Sequence, residues 1–82
     1  MIKNEQERVR IGQRIADLRK TTEWTDAAGI RRTGMTQAEL AERSGLQRSH
    51  IARLEKGAYG ATIDVLSAIA GAVGVTIDFI NQ

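Results

Sequence analysis

The sequence predicts a mainly α fold, a compact bundle of four to five helices in one domain that spans residues 1–82. Apolar residues recur at helical spacing in several stretches of the chain. Helix-capping residues and glycines separate these stretches. Because 82 residues can bury only a modest core, a second domain does not fit.

The first helix is predicted from about Asn4 to Lys20, since Asn4 is a good N-cap residue. The apolar residues that recur on one face are Ile11, Ile15 and Leu18. Gly12 lies inside this helix, where glycine costs about 1 kcal/mol relative to alanine. Gly12 is therefore either a point of close packing against another helix or a chance occurrence.

A short β-hairpin is predicted at about residues 22–33. The sequence Asp-Ala-Ala-Gly at residues 26–29 suits a type I turn followed by a left-handed glycine. Trp24 and Ile30 flank this turn. The segment therefore interrupts the helices with two short antiparallel strands.

Two short helices joined by a glycine turn are predicted over residues 35–55. Thr36 and Glu39 form a T-x-x-E capping box, in which the hydroxyl and the carboxylate each accept a hydrogen bond from a backbone amide. Gly45 lies where the chain must reverse, and glycine takes a positive φ there without steric cost. The pattern indicates two helices that meet at a tight bend.

The outward face of the second of these helices is polar and cationic. Ile51 and Leu54 lie on its inward stripe, which turns the remaining positions toward solvent. The outward positions are Gln47, Arg48, Ser49, Ala52, Arg53 and Lys56. Between Arg43 and Lys56 there are four bases and one acid, Glu55. This balance is typical of a surface that contacts phosphate groups.

The fourth helix is predicted to begin after Thr62, which can cap it, and to end at Gly74. Its predicted buried stripe consists of Ile63, Leu66, Ile69, Ala70 and Val73. Together with the three preceding helices, it closes the bundle.

The C-terminal segment is predicted to form a strand at about residues 75–80, because β-branched and aromatic residues alternate there with polar ones. A lone strand needs a partner, and the simplest one is the same segment of a second subunit. The predicted homodimer interface consists of Val75, Ile77, Phe79 and Ile80. The alternative is a short fifth helix capped by Thr76.

Residues 35–55 resemble the helix-turn-helix of the lambda-repressor and Cro-like (XRE-type) family. A small residue, Ala41, lies where the helices would cross, and Gly45 lies in the turn. The inward apolar positions are Leu40, Leu46, Ile51 and Leu54. The resemblance covers about residues 8–82, but residues 21–34 depart from it, since the family's first connection is usually shorter. It implies a lambda-repressor-like bundle that binds double-stranded DNA sequence-specifically, usually as a homodimer.

Candidate base-reading residues lie at the start and on the exposed side of the second motif helix. Arg48 and Arg53 can each donate two hydrogen bonds to guanine, and Gln47 can pair with adenine in the same bidentate way. Ser49 can contact a base edge or a phosphate, and Ala52 can contact a thymine methyl group. The resemblance places the family's base readers at these positions.

Candidate phosphate-binding residues are Gln37, Arg43, Lys56, Arg31 and Arg32. The resemblance implies Gln37 and Arg43, together with backbone amides near Lys56 and Gly57, as contacts that orient a protein on DNA without selecting sequence. Whether the two hairpin arginines contact phosphate depends on the role of the hairpin. It is either a wing that brings them to the DNA backbone or a flap in which Trp24 covers the core.

The resemblance also pairs Arg19 with Glu55 in a salt bridge between the first helix and the second motif helix. Its expected role is structural, because it would hold the recognition helix in place.

The charge distribution favours a nucleic-acid partner. All twelve bases lie within residues 1–56, together with eight of the ten acids, so the net charge of +2 conceals a more basic N-terminal part. Paired carboxylates, a phosphate-binding glycine loop and metal-ligand spacing are missing, as is cysteine. We therefore expect no enzyme, no cofactor and no metal site. The polar N-terminus and the lack of a long apolar run predict a cytoplasmic protein without membrane contact.

The sequence thus predicts a transcriptional regulator, a dimeric repressor that reads a palindromic operator through the major groove. One alternative is an antitoxin that binds a toxin protein and represses its own operon. A restriction-modification controller is a further possibility, because such proteins are similarly short. A small toxin gene beside this one would favour the antitoxin.

Overall fold

The computed structural model describes residues 4–58 and 60–75, which form four helices and one two-stranded sheet. In chain order the elements are α1 (Asn4–Thr21), β1 (Glu23–Thr25), β2 (Arg31–Thr33), α2 (Gln37–Ser44), α3 (Arg48–Glu55) and α4 (Ile63–Val73). The predicted mainly α fold with a short hairpin is confirmed. Within the described residues, every helix is too short or too polar to cross a membrane.

The first helix packs closely against the C-terminal end of α3 at Gly12. A Cβ atom at Gly12 would lie 2.8 Å from the carbonyl oxygen of Glu55, and the carbonyl oxygen of Leu54 is nearer still. A side chain at this position would therefore push α1 away from α3. Close packing, rather than chance, explains the glycine inside α1.

The hairpin forms as predicted, with β1 antiparallel to β2 and Trp24 opposite Arg32. At its turn, the amide of Gly29 donates to the carbonyl of Asp26 at 2.9 Å, and Gly29 has a φ of +81°. The Asp26 carboxylate accepts two further amides of the turn, at 3.0 and 2.9 Å. These bonds fix the turn locally, independently of the rest of the molecule.

The capping box and the glycine turn around α2 are also confirmed. The Thr36 hydroxyl accepts from the Glu39 amide at 3.0 Å, and the Glu39 carboxylate accepts from the Thr36 amide at 2.8 Å. After α2, Gly45 has a φ of +75°. The chain therefore reverses within a few residues and enters α3.

The fourth helix has the predicted caps, but the prediction that Ile63 is part of its buried stripe is wrong. Thr62 accepts from the Val65 amide at 3.2 Å, and Gly74 ends the helix in the left-handed conformation. Ile63 is 55% exposed as the first residue of α4, whereas Val65 packs against the core. The remaining members of the stripe are partly or fully buried.

The hydrophobic core lies where α2, α3 and α4 meet α1. Leu40 of α2 and Ile51 of α3 are completely buried at its centre. Trp24 of the hairpin is also a core residue, with 8% of its surface exposed. Val75 is exposed, and the other predicted interface residues, Ile77, Phe79 and Ile80, lie outside the described residues. The C-terminal strand and its alternative helix therefore stay predictions.

Candidate nucleic-acid interface

The third helix presents a polar, cationic surface directly after the Gly45 turn. Its exposed residues include Gln47, Arg48, Ser49 and Arg53, and Ala52 is half-buried. Lys56 continues this surface beyond the helix end and is exposed. Within the described part of the chain, neither Arg48 nor Lys56 has an ion-pair or side-chain hydrogen-bond partner. Their charges are available to an anionic ligand.

The N-terminus of α3 differs from those of α2 and α4 because it has no side-chain cap. Gln47 is the N-cap residue, with extended backbone angles, but its side chain accepts no hydrogen bond from the first turn. Thr36 and Thr62 supply such bonds to α2 and α4. Gln47 therefore gives no side-chain cap to the end of the helix that carries the candidate base readers.

The backbone amides that follow α3 are used within the protein. The amides of Lys56, Gly57 and Ala58 donate to carbonyl oxygens of α3 at 3.0–3.2 Å. They terminate the helix, so they are not free to hold a phosphate. A phosphate contact at this end of α3 would come from the Lys56 side chain.

A buried ion pair ties α3 to α1, as the resemblance implied. Nε of Arg19 donates to Oε2 of Glu55 at 2.7 Å, and Nη2 donates to Oε1 at 2.9 Å. The two side chains are only 11% and 8% exposed. Nη1 of Arg19 also donates to the Met35 carbonyl at 2.8 Å, so that Arg19 reaches the residue just before the α2 cap. This bidentate geometry fixes the end of α3 against both neighbours.

The carboxylate of Glu55 also accepts a hydrogen bond from α2. Nε2 of Gln37 donates one of its two amide hydrogens to Oε1 of Glu55 at 3.1 Å. Burial raises the pKa of Glu55, but the hydrogen bonds from Arg19 and Gln37 outweigh it and hold that pKa below its usual value. The charge of Lys20, to which no role was predicted, also lowers the pKa of Glu55. Its position beside Arg19 in the last turn of α1 was the available signal.

The two hairpin arginines have partners inside the molecule. Nη1 of Arg32 lies 2.6 Å from Oε2 of Glu39, and an oxygen of Asp26 is 4.0 Å away. Arg31 is exposed and lies 3.7 Å from a carboxylate oxygen of Glu23. Trp24 is buried and lies under Arg32, which favours the flap over the wing, and the phosphate contacts of the two arginines stay predictions.

Arg43 packs on the hairpin and on α4. Its guanidinium carbon lies 5.2 Å from the centre of the Trp24 ring, and that of Arg32 lies 5.0 Å from the same ring. Nε of Arg43 also donates to the Ala72 carbonyl at 3.3 Å. The structure thus gives Arg43 an intramolecular role that sequence analysis missed, because the two contacts come from segments distant along the chain.

Comparison with known proteins identifies the family. A profile described as Helix-turn-helix matches residues 30–80, which is more than half of the chain. The chain belongs to the helix-turn-helix family. Its matched region includes β2, α2, α3 and α4, whereas α1 and β1 precede it.

Two related proteins are similar to this chain over different shares of their length. The immunity repressor protein of Bacillus phage phi105 is 34% identical over 70 residues, which are 85% of this chain and 41% of that protein. An uncharacterized HTH-type transcriptional regulator of Methanothermobacter thermautotrophicus is 49% identical over 41 residues, 50% of this chain and 59% of that protein. The chain thus spans less than two thirds of both these relatives.

A solved structure is similar to this chain over most of both lengths. It is the restriction-modification controller protein C.AhdI from Aeromonas hydrophila, with a TM-score of 0.67 and 28% sequence identity. The match covers 85% of this chain and 89% of that one. This helix-turn-helix chain therefore shares its architecture with a protein of similar length.

Proposed function

We propose that this helix-turn-helix protein is a transcriptional regulator that binds double-stranded DNA sequence-specifically and represses transcription as a homodimer on a palindromic operator. The observation that carries the proposal is the exposed polar face of α3, which follows the Gly45 turn. The Arg19–Glu55 pair holds this helix against α1. An α-helix of this kind fits the major groove, where each base pair displays a distinct pattern of donors and acceptors.

The proposed base readers are the five residues on this face. Arg48 and Arg53 would each make a bidentate contact with guanine, and Gln47 would pair with adenine. Ser49 and Ala52 would add a polar and an apolar contact. Lys56 and the second amide hydrogen of Gln37 would contact phosphates on either side and set the orientation of α3.

The related proteins support a regulatory role. One is a phage repressor, one is a transcriptional regulator and one is a restriction-modification controller. The controller is the relative that the chain matches over most of both lengths. Control of restriction-modification genes is therefore the second candidate within the same class, whereas no structural observation favours the antitoxin.

The decisive experiment is selection of bound sequences from random duplex DNA. The proposal predicts enrichment of one motif made of two symmetric half-sites, with centres one helical turn apart, about 34 Å. Enrichment of a single half-site would contradict the proposed homodimer but not sequence-specific DNA binding. Recovery of unenriched sequences would contradict sequence-specific regulation.

A further inference from the structure

The hairpin is the segment that departs from the family pattern, and its side chains converge on one residue. Trp24 is buried, and its indole Nε1 donates to the Gly34 carbonyl at 2.8 Å. The guanidinium groups of Arg32 and Arg43 lie 5.0 and 5.2 Å from its ring centre. These distances are those of cation–π contacts. We call Trp24, Arg32 and Arg43 the Trp24 clamp.

The clamp contacts α2 at both of its ends. Arg32 pairs with Glu39, which is the capping-box residue of the first turn of α2. Arg43 belongs to the last turn of α2 and directly precedes the chain reversal at Gly45. The hairpin thus contacts α2 at both its first and its last turn.

The clamp also extends to α4 and, through α2, to α3. Arg43 donates to the Ala72 carbonyl in the last turn of α4, and the Thr22 hydroxyl donates to the Val73 carbonyl at 3.1 Å. In the first turn of α2, Gln37 donates to Glu55 at the end of α3. The position of α3 thus depends on α2, and the position of α2 depends on the hairpin.

We propose that Arg32 and Arg43 are positioning residues that fix α2, and through it the recognition helix α3, by stacking on Trp24, and that they do not contact DNA phosphates. The chemistry of the two side chains fits this role. Each guanidinium lies over the indole ring and also donates a hydrogen bond, to Glu39 from Arg32 and to the Ala72 carbonyl from Arg43. The consequence for operator recognition rests on the proposed function, but the packing does not.

The first test uses the protein without DNA. Trp24 is the single tryptophan, so its indole proton gives one resonance whose hydrogen exchange can be followed by NMR. Arg32→Ala and Arg43→Ala should each accelerate this exchange about two- to fivefold, the change that corresponds to the loss of one exposed cation–π contact. Arg31→Ala is the matched control, because Arg31 lies in the same hairpin and does not contact the ring.

Conservative variants guard against a folding defect. Arg43→Lys keeps a cation above the ring but loses the planar stack, so its indole exchange should fall between that of the wild type and that of Arg43→Ala. Thermal unfolding of each variant establishes that it is folded before exchange is measured. Unchanged exchange in both alanine variants, or equal acceleration by Arg31→Ala, overturns the clamp.

The second test separates positioning from phosphate contact. On a mixed-sequence duplex, the slope of log affinity against log salt should stay unchanged in Arg32→Ala and Arg43→Ala, whereas loss of a phosphate contact lowers it by about one. Affinity for the selected operator should fall relative to this duplex. A reduced slope overturns the positioning role of that arginine. If the wild type binds no DNA, the proposed function fails, and indole exchange still decides the clamp.

Discussion

Arg48 and Arg53 carry the sharpest prediction at the scale of single residues. Replacing either by alanine should change which sequences are selected and cost about 1–3 kcal/mol at the cognate base pair, because a bidentate contact with guanine is lost. The measurement is affinity for the selected operator and for point variants of it. If both alanine variants lose the same factor on operator and mixed-sequence DNA, these arginines do not read bases.

Lys56→Ala is the matched control for these two variants. Lys56 lies on the same exposed surface and has no ion-pair partner among the described residues. As a phosphate contact, it should weaken binding to all duplexes similarly and lower the salt slope by about one. Altered sequence preference in Lys56→Ala would assign it to the base readers.

The Arg19–Glu55 pair should couple more strongly than a surface ion pair. Exposed pairs contribute about 0–1 kcal/mol, but these side chains are nearly buried and bonded at two points. We expect a coupling energy of about 1–3 kcal/mol in a double-mutant cycle on the free energy of unfolding. Additive single mutants would show that the geometry contributes no stability.

Glu55 also predicts how stability responds to acid. Its pKa is lower in the folded protein than in the unfolded chain, so the folded state favours the charged carboxylate. This stabilisation is complete above the unfolded pKa of about 4.3 and is lost as the pH falls through the folded value. In urea unfolding at neutral and acidic pH, Glu55→Gln should therefore lose less stability on acidification than the wild type. An equal loss in the two proteins would contradict the assigned shift.

At the scale of elements, the two helical glycines Gly12 and Gly71 should respond oppositely to alanine. Gly12→Ala places a Cβ against backbone carbonyls of α3 and should destabilise the protein by about 1–3 kcal/mol. Gly71 lies in α4 with open space around its Cβ position, so Gly71→Ala should stabilise by about 0.5–1 kcal/mol. The midpoints of urea unfolding show whether each substitution stabilises or destabilises the protein. A neutral Gly12→Ala would mean that α1 can move away from α3 without cost.

The elements that sequence predicted correctly are those with local signals. The capping box at Thr36, the cap at Thr62 and the turn at Asp26 depend on residues within four positions of each other. Ile63 was placed wrongly because helical spacing does not say how far along the helix the core extends, and Ile63 is the first residue of α4. The contacts of Arg43 with Trp24 and Ala72 join residues that are distant in sequence, and no local pattern encodes such contacts.

In the candidate site, too, local sequence patterns predicted the surface residues but not the contacts between distant residues. The surface on α3 followed from the helical spacing of Ile51 and Leu54, which are buried as expected. The pairing of Arg19 with Glu55 followed from resemblance. The intramolecular partners of Arg32 did not follow from either, because residues 21–34 depart from the family and their tertiary contacts had no precedent to transfer.

At the scale of the whole molecule, dimerisation should depend on the C-terminal segment. Truncation after Gly74 removes Ile77, Phe79 and Ile80 and should give a monomer that retains α4, whose C-terminal cap at Gly74 is kept. Sedimentation measures the change, and circular dichroism establishes that the truncated chain is folded. A symmetric operator should be bound much more weakly, because two linked half-sites become independent. A truncated protein that stays dimeric and binds normally would contradict the interface.

The missing side-chain cap at the start of α3 has an evolutionary consequence. Serine or aspartate in place of Gln47 would cap the helix and add about 0.5–2 kcal/mol of stability, yet the residue present is an amide that supplies no cap. Selection for heat resistance alone would therefore favour replacement of Gln47. Proteins evolving under such selection would gain thermal stability but lose the side-chain amide proposed to read adenine. At this one position, a substitution that raises stability would therefore change the operator sequence that the protein prefers.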